Sequence, residues 1–584
     1  HPFWHRWEAQ RLGLESYATD LNPVAVLINK AMIEIPPKFA GRAPIGPEVE
    51  ARKSARLNIV RDWPGASGLA EDVKRYGAWI RNEAAKRIGD LYPPVEINAA
   101  IVNDRPDLKP LSGRKFSVIA WIWARTVRSP NPAYSDIEVP LASTFILANK
   151  EGSEAYVHPV IRGGKYRLTV KTGSPPSEAK NGTKLARGAN FRCLMSGVAI
   201  EGDYIKAEGR AGRMGTTMMA VVLDGPRGRI YLSPTKEMES IARSAAPTWR
   251  PETSLPDDHR NFWTVNYGLT KFGDLFTPRQ LVALTTLSDL VGEARAKIRS
   301  DALISGMDND DAPLDSGGVG AKAYAEALSV YLSFAISRCA DFSNSVTRWV
   351  PGNQKVMNLF GKQAIPMSWD FPEAGILANV VGGFGPATEY IGDCILKLTP
   401  AAPGFASQAD AQTQTVSRLK LVSTDPPYYD NIAYADLSDF FYVWLRRTLR
   451  LVFPTVLATM VVPKAEELIA APYRHGTAEK AEAFFLDGMT KVIHNVADLA
   501  HPEGPITLYY AFKQSETSSD DGTASTGWVT FLTAVVTAGF SIVGTWPLRS
   551  EQEFRIIGMG TNALASSIVL VCRKRAERRS ARRP

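Results

Sequence analysis

"LKLVSTDPPYYDNIAYADLSDFFYVWLRR" (Leu419 to Arg447) decides how this chain is to be read. A short apolar run stops at Asp425, two prolines and two tyrosines follow, and an amphipathic segment begins a few residues later. Proline lacks a backbone N–H, so Pro426 and Pro427 can neither continue a strand ladder nor sit inside a helix. The stretch therefore predicts a stiff turn at the C-terminal end of a strand, where open α/β sheets hold their ligands. Beyond it, Leu437, Phe440, Phe441, Trp444, Leu445 and Leu449 fall on one helical stripe.

The chemistry of the turn follows from its atoms. With two N–H groups removed, nearby carbonyls are left to accept hydrogen bonds, and Asp425 adds a carboxylate acceptor. Such a group suits a planar exocyclic amine, whose hydrogens it can hold while the nitrogen lone pair faces an electrophile. Tyr428 offers a ring face on which a base taken out of its helix can stack. Together these residues fit amino-group methylation. They fit equally a proline-rich turn with a capping Asp.

Working outward, "PGFASQADA" and "PITLYYAFK" read as further strands, and "GFSIVGTWPLRS" with "LASSIVLVCRK" as a final strand pair. At the other end, "LESYATDLN" (Leu14 to Asn22) reads as a strand and turn. "PVAVLINKAMIEI" then reads as a helix with Pro23 in its first turn. Proline-rich "IPPKFAGRAPIGPE" sets a boundary near residue 36. Residues 112–235 are strand-like, with "FSVIAWIWARTV", "YRLTVKTG", "MMAVVLDG" and "GRIYLSP" separated by Gly, Ser and Pro. Residues 276–300 and 319–340 have helical apolar spacing. Strand–helix alternation at both ends of a long insert predicts one α/β sheet interrupted by other modules.

The resulting division is an N-terminal sheet segment over 1–36, a connection over 37–111, a β-rich insert over 112–235 and a mainly helical insert over 236–399. A catalytic segment over 400–572 and a basic tail over 573–584 complete it.

A chain of 584 residues has length for several domains, and its 45% apolar and 22% charged content is that of globular protein. The sequence contains no run of 18 apolar residues, so no transmembrane helix is expected. No basic stretch followed by an apolar run opens the chain, so no secretory signal is expected. Cys193, Cys339, Cys394 and Cys572 are scattered without a CxxC pair, which predicts free thiols in a reducing, cytoplasmic setting. Of the net charge of +8, the tail "RKRAERRSARRP" carries +6, so the charge is concentrated at one end. That tail is expected either to tether polyanions or to act only as a solubilising end.

The chain resembles the amino-methylating DNA methyltransferases, which carry a D/N/S-P-P-Y/F/W motif after the fourth strand of their sheet. It is most similar to the large adenine-specific DNA methylases with an inserted zinc ribbon. The resemblance rests on "EAQRLGLESYATDLNPVAVLINKA", "GDLFTPRQLVALTTLSDLV", "STDPPYYDNIAYADLSDFFYVWLRR", "PYRHGTAEKAEAFFLDGM" and "GMGTNALASSIVLVCR". It implies a Rossmann-like S-adenosylmethionine-dependent methyltransferase sheet with a long β-rich and helical insertion. It also implies adenine N6 as methyl acceptor, or less readily cytosine N4, and double-stranded DNA with a flipped base as partner.

Residue by residue, the resemblance makes Asp425, Pro426, Pro427 and Tyr428 the catalytic motif. Asp20, at the end of the second strand, would hold the cofactor ribose, with Asn22 beside it, and Asp410 would contact the cofactor adenine. "GDLFTP" (Gly273 to Pro278) is similar to a segment beside the cofactor's methionine end, but Thr277-Pro278 also reads as an ordinary helix cap, which is the preferred reading.

Two departures bear on this. Where the ribbon has four cysteines, this chain has Ser129, Tyr134, Cys193 and Ser196, so no metal is expected, since serine and tyrosine are poor zinc ligands. The loop "EGRAGRMG" offers Arg210 and Arg213 to phosphates, or is a solvated loop. The opening "HPFWHRWEAQRLG" has His1 where the resemblance expects Asp, and no glycine before Gly13. His5, Arg6 and Trp7 stand where close backbone approach to the cofactor is needed. The chain as written is expected to bind cofactor weakly, and a catalytically silent nucleic-acid-binding remnant is the alternative reading. An RNA methyltransferase is a third.

Overall fold

The structure, a computed structural model, describes residues 8–47, 62–186, 188–259, 261–427, 429, 432–511, 526–549 and 566–575. The chain divides into two units. The first comprises 1–38, 398–439 and 462–584, and the second 39–397 and 440–461. The sequence-based division differs: residues 37–399 were expected to fall into three segments and instead belong, apart from their ends, to one unit.

In the first unit β1 (Ser16–Asp20) is followed by α1 (Pro23–Asn29). Asn22 starts the helix by accepting the Val24 N–H at 3.0 Å on its side-chain oxygen, and Pro23 takes the first turn, where a missing N–H costs nothing. The helix does not stop at the expected boundary. A π-helical turn over Lys30–Glu34 directs the Ile35 N–H back to the Lys30 carbonyl, and one further α-turn runs Ile35–Lys38. Pro36 and Pro37 thus stand in a fresh first turn rather than in a helix interior, which is why they are tolerated.

The second unit contains α2 (Ser67–Ile88) and centres on an antiparallel sheet. Its middle strand β2 (Val118–Arg128) is buried along its first ten residues, so it lacks the alternation of a half-exposed strand. Its side chains feed two cores, one with Ile119 and Ile122, the other with Trp121 and Trp123. A hairpin of β3 (Ala155–Arg162) and β4 (Lys165–Thr172) follows, then β5 (Gly215–Gly225) and β6 (Gly228–Leu232).

Two long helices come next, α3 (Pro278–Ile304) and α4 (Ala321–Phe342), then β7 (Asp370–Ala374) and α5 (Phe384–Ile395). The strand order is β6-β5-β2-β7, so β7, from a segment read as mainly helical, completes the sheet. Its sequence "DFPEA" hides it: Pro372 marks it as an edge strand. Helices α2 and α5 approach closely, since a Cβ on Gly77 would lie 2.6 Å from the Thr388 side chain.

Returning to the first unit, β8 (Gly404–Gln408) runs parallel to β1, with Ser16 opposite Gly404 and Asp20 opposite Gln408. Next come β9 (Val422–Thr424) and α6 (Tyr434–Leu449), whose residues from 440 onward belong to the second unit. The remaining elements are α7 (Ala478–Leu499), β10 (Ile506–Ala511), α8 (Thr526–Thr537), β11 (Phe540–Arg549) and β12 (Ser566–Lys574). Strands β9 and β10 are parallel, and β12 pairs antiparallel with both β10 and β11, in the order β9-β10-β12-β11. Helix α7 presents Ala481, Phe485, Met489, Val492 and Val496 at helical spacing to a core that includes Ile506, Leu508 and Leu570.

The expected single sheet is therefore corrected. Among the described residues the strands of this unit form a two-stranded and a four-stranded sheet, because no backbone pairing joins β1 to β9.

Candidate functional site

Residues of β1 and β9, each paired on one side only among the described residues, line one cleft of about 1050 Å³. That is at the upper end of the ~300–1,000 Å³ usual for small-molecule sites. The ends of three strands place side chains there. Asp20 closes β1, and its Oδ1 accepts the Asn22 N–H at 2.9 Å. Asn22 is fixed three ways, since its Nδ2 also donates to Ser438 Oγ at 2.7 Å. Asp410 follows β8 and organises the next turn, accepting the Gln412 N–H at 2.8 Å on its side chain and the Gln414 N–H at 2.9 Å on its carbonyl.

Asp425 follows β9 directly, with Pro426 buried and Pro427 half-buried behind it. Asp20, Asn22, Asp410, Asp425, Pro426 and Pro427 all line this cleft, although some four hundred residues separate the first from the last. Tyr428 and the opening His1–Trp7 lie outside the described residues.

The backbone beyond the prolines is unusual. Tyr429 has φ +42°, in the left-handed region that a bulky residue seldom adopts. Its carbonyl accepts the Ala470 N–H at 3.0 Å and its ring meets Phe485 edge-on at 5.3 Å. Strained backbone held by its surroundings concentrates at functional sites.

A cluster that sequence reasoning missed anchors the helix after the turn. Glu467 accepts the Ala435 N–H at 2.8 Å, capping the first turn of α6 from a distant loop. Arg474 bridges Glu467 at 2.8 Å and Asp436 at 2.6 Å, and Tyr473 also donates to Asp436. Asp439 accepts the Val462 N–H at 2.8 Å and pairs with Lys464. Burial pushes the Glu467 carboxyl above its ordinary range, opposed by the Arg474 charge. "PYRHGTAEKAEAFFLDGM" contains Tyr473 and Arg474, but nothing in that text states which acids they meet.

Two phenols report the charge at Asp425. Tyr434 is pushed up to about 12, by desolvation first and then by the charges on Asp425 and Glu467. Tyr509 is raised by burial and by Asp425, against a hydrogen bond with Ser423. Both therefore keep their protons at neutral pH. The acids lining the cleft are Glu15, Asp20, Asp410, Asp425, Glu466 and Glu467, against Arg418 and Lys420. Glu467 is neutralised by Arg474, and Lys420 sits 4.3 Å over the Tyr17 ring. This balance suits a ligand with hydroxyls, amines or a positive charge, and opposes one rich in phosphate.

The remaining sequence candidates lie in the second unit. Thr277 is a helix cap as preferred: its Oγ1 accepts the Gln280 N–H at 3.2 Å, and the Gln280 side chain accepts the Thr277 N–H at 2.9 Å. Ser129 Oγ lies 3.2 Å from Cys193 Sγ. Burial raises the Cys193 thiol, but hydrogen bonds from Ser129 and Ser196 outweigh it and leave the pKa below the ordinary value. Tyr134 stands in a separate 3₁₀ turn, Pro132–Tyr134. Among the described residues no group of three or more His, Cys, Asp or Glu is arranged to hold a metal ion, and no helix is long and apolar enough to cross a membrane. Arg210 and Arg213 of the "EGRAGRMG" loop are both exposed, and Arg213 is paired with Glu208 at 2.6 Å.

No protein-family model matches the chain, and no curated protein matches it.

Proposed function

We propose that the chain transfers a methyl group from S-adenosylmethionine to an exocyclic amine of a base in double-stranded DNA, adenine N6 first and cytosine N4 second. The observation that carries this reading is the meeting of Asp425-Pro426-Pro427 with Asp20, Asn22 and Asp410 in one cleft.

The residues present fit the cofactor. Asp20 stands at a strand end, where it would accept from ribose hydroxyls, and Asp410, beyond the neighbouring parallel strand, would accept from the adenine. The acid-rich lining favours the cationic sulfonium over a phosphate-bearing nucleotide. When bound, the cofactor supplies a methyl group made electrophilic by that positive sulfur.

The chain's own residues do the rest. Asp425 and the carbonyls freed by Pro426 and Pro427 accept hydrogen bonds from the amine, which turns its lone pair towards the methyl carbon. The Asp425 carboxylate would then take the proton that the amine sheds on methylation and pass it to solvent. Stacking of the base falls to Tyr428. Positioning and electrostatics supply the acceleration, without a covalent intermediate. The strained Tyr429 and the Glu467–Arg474–Asp436 cluster support this by fixing both ends of the turn.

Calorimetry with S-adenosylmethionine is the test, on the chain as written and on H1D/H5G/R6G/W7G, which restores a D-P-F-x-G-G-G turn. Weak binding by the first, stronger binding by the second and loss of both with Asp20→Ala are expected. No binding by either chain would leave the silent-remnant reading in its place.

A further inference from the structure

We infer that the hairpin of β3 and β4 in the second unit is a docking ribbon for the phosphate backbone of duplex DNA. The inference concerns that unit alone and stands whether or not the cleft of the first unit transfers methyl groups.

The two strands are joined by Gly163-Gly164, both with positive φ (56° and 73°), the two-residue turn whose twist matches an antiparallel ribbon. Opposed residues share a face. On one face Val157 pairs with Val170 and Pro159 with Leu168, and Val157, Leu168 and Val170 are buried in the unit's core. On the other, Tyr156 opposes Lys171, His158 opposes Thr169, Val160 opposes Arg167 and Arg162 opposes Lys165. The first face fastens the ribbon down, and the second carries four cations, with buried Thr169 lying between Arg167 and Lys171.

Several cations of the same unit are held in ion pairs. Arg87 is paired with Glu293, Lys206 with Asp203, Arg213 with Glu208 and Arg229 with Asp224. Arg162, Lys165, Arg167 and Lys171 are exposed, and among the described residues none is in an ion pair. A stripe of uncompensated positive charge attracts polyanions. At about 3.4 Å per residue, the stripe from Lys165 to Lys171 is roughly 20 Å long. Duplex DNA offers about one negative charge per 1.7 Å of axis, and its major groove, about 12 Å wide, admits a two-stranded ribbon. Tyr156 and His158, their rings edge-to-face at 6.5 Å, add hydrogen-bonding groups at the base of the same face. An anionic membrane fits less well, because this face carries no large exposed apolar side chain to insert.

The experiment is fluorescence anisotropy of a labelled duplex with the full chain, titrated with salt, against R162E/K165E/R167E/K171E. The reversal variant should bind at least tenfold more weakly. Its slope of log affinity on log salt should be shallower by about three to four, since each phosphate contact contributes ~0.9. Its melting temperature should match the parent's, because all four side chains point outward. If charge reversal prevents folding, R162Q/K165Q/R167Q/K171Q reads the same slope. Unchanged affinity and slope would overturn the proposal. So would a parent chain that binds phosphatidylserine vesicles but not duplex. Loss of S-adenosylmethionine binding with duplex binding intact would count against the cleft's role and leave the ribbon standing.

Discussion

Two acidic sites of the molecule, one in each unit, use their side chains in opposite ways. In the second, Glu373 and Arg279 are each 1% exposed and meet at 2.7 Å. Glu373 also accepts from Trp123 Nε1 at 3.0 Å and Thr277 Oγ1 at 2.7 Å, while Arg279 donates to the Leu91 carbonyl at 3.0 Å and lies 3.9 Å over the Trp121 ring. In the first unit, Asp20, Asp410 and Asp425 stand half-buried at strand ends around an open cleft. A carboxylate sealed among protein partners specifies architecture, whereas these three border a cleft. Exposure to that cleft, rather than residue type, separates the two.

The largest expected effect tests the sealed side. Arg279→Ala leaves Glu373 buried without its cation and should cost about 3–5 kcal/mol of unfolding free energy. Denaturant melts should show it, and the double replacement R279M/E373L should recover most of the loss. A loss under about 1 kcal/mol would mean that the two sites do not differ as described.

Asp425→Ala tests the open side. Methyl transfer to duplex DNA should fall by about 10²–10³-fold, as when one preorganised transition-state partner is removed. Stability should change by no more than about 0.5–1 kcal/mol, because the residue is half-buried at a strand end. Transfer at the parent rate would remove Asp425 from the reaction.

The smallest effect is one of pH. Asp72 accepts from Gly46 N–H at 2.7 Å, Ile45 N–H at 2.9 Å and the Tyr324 hydroxyl at 2.6 Å. Burial nevertheless pushes its pKa up to about 6, against those bonds and the charge of Arg75. Because the folded value lies above the unfolded one of about 3.9, folding takes up a proton between them. The contribution to stability is present below about pH 4 and is lost as pH rises through about 6, by roughly 1–3 kcal/mol. Asp72→Asn should flatten melting temperature against pH across that window. A slope equal to the parent's would assign the dependence to other groups.

Much of this was legible in the text. The strands at 404–408, 422–424, 506–511 and 566–574 fall within stretches that read as strands, and the helices at 278–304 and 321–342 lie close to the helical spacing at 276–300 and 319–340. So does the stop at Pro426-Pro427, since proline's missing N–H is a local fact. The resemblance named Asp20, Asn22 and Asp410, and the fold brings them to the cleft that holds Asp425. What stayed hidden depends on partners distant in sequence. Nothing in "DFPEA" states that it will pair with β2, and nothing around Ala435 states that Glu467 will cap it. The passage of one helix, α6, from one unit into the other is likewise set by packing and not by its stripe.

The pairing of β1 with β8 also imposes a timetable. Ser16 meets Gly404 across about 390 residues of chain. At 5–20 residues per second, a ribosome needs roughly 20–80 s to make the second strand after the first. During that interval β1 and the apolar side of α1 have been synthesised and have no sheet to join, while nearly all of the second unit is completed. Strand β1 is therefore among the last elements of the first unit to settle, and in a living cell its fate rests on what shelters it for about a minute.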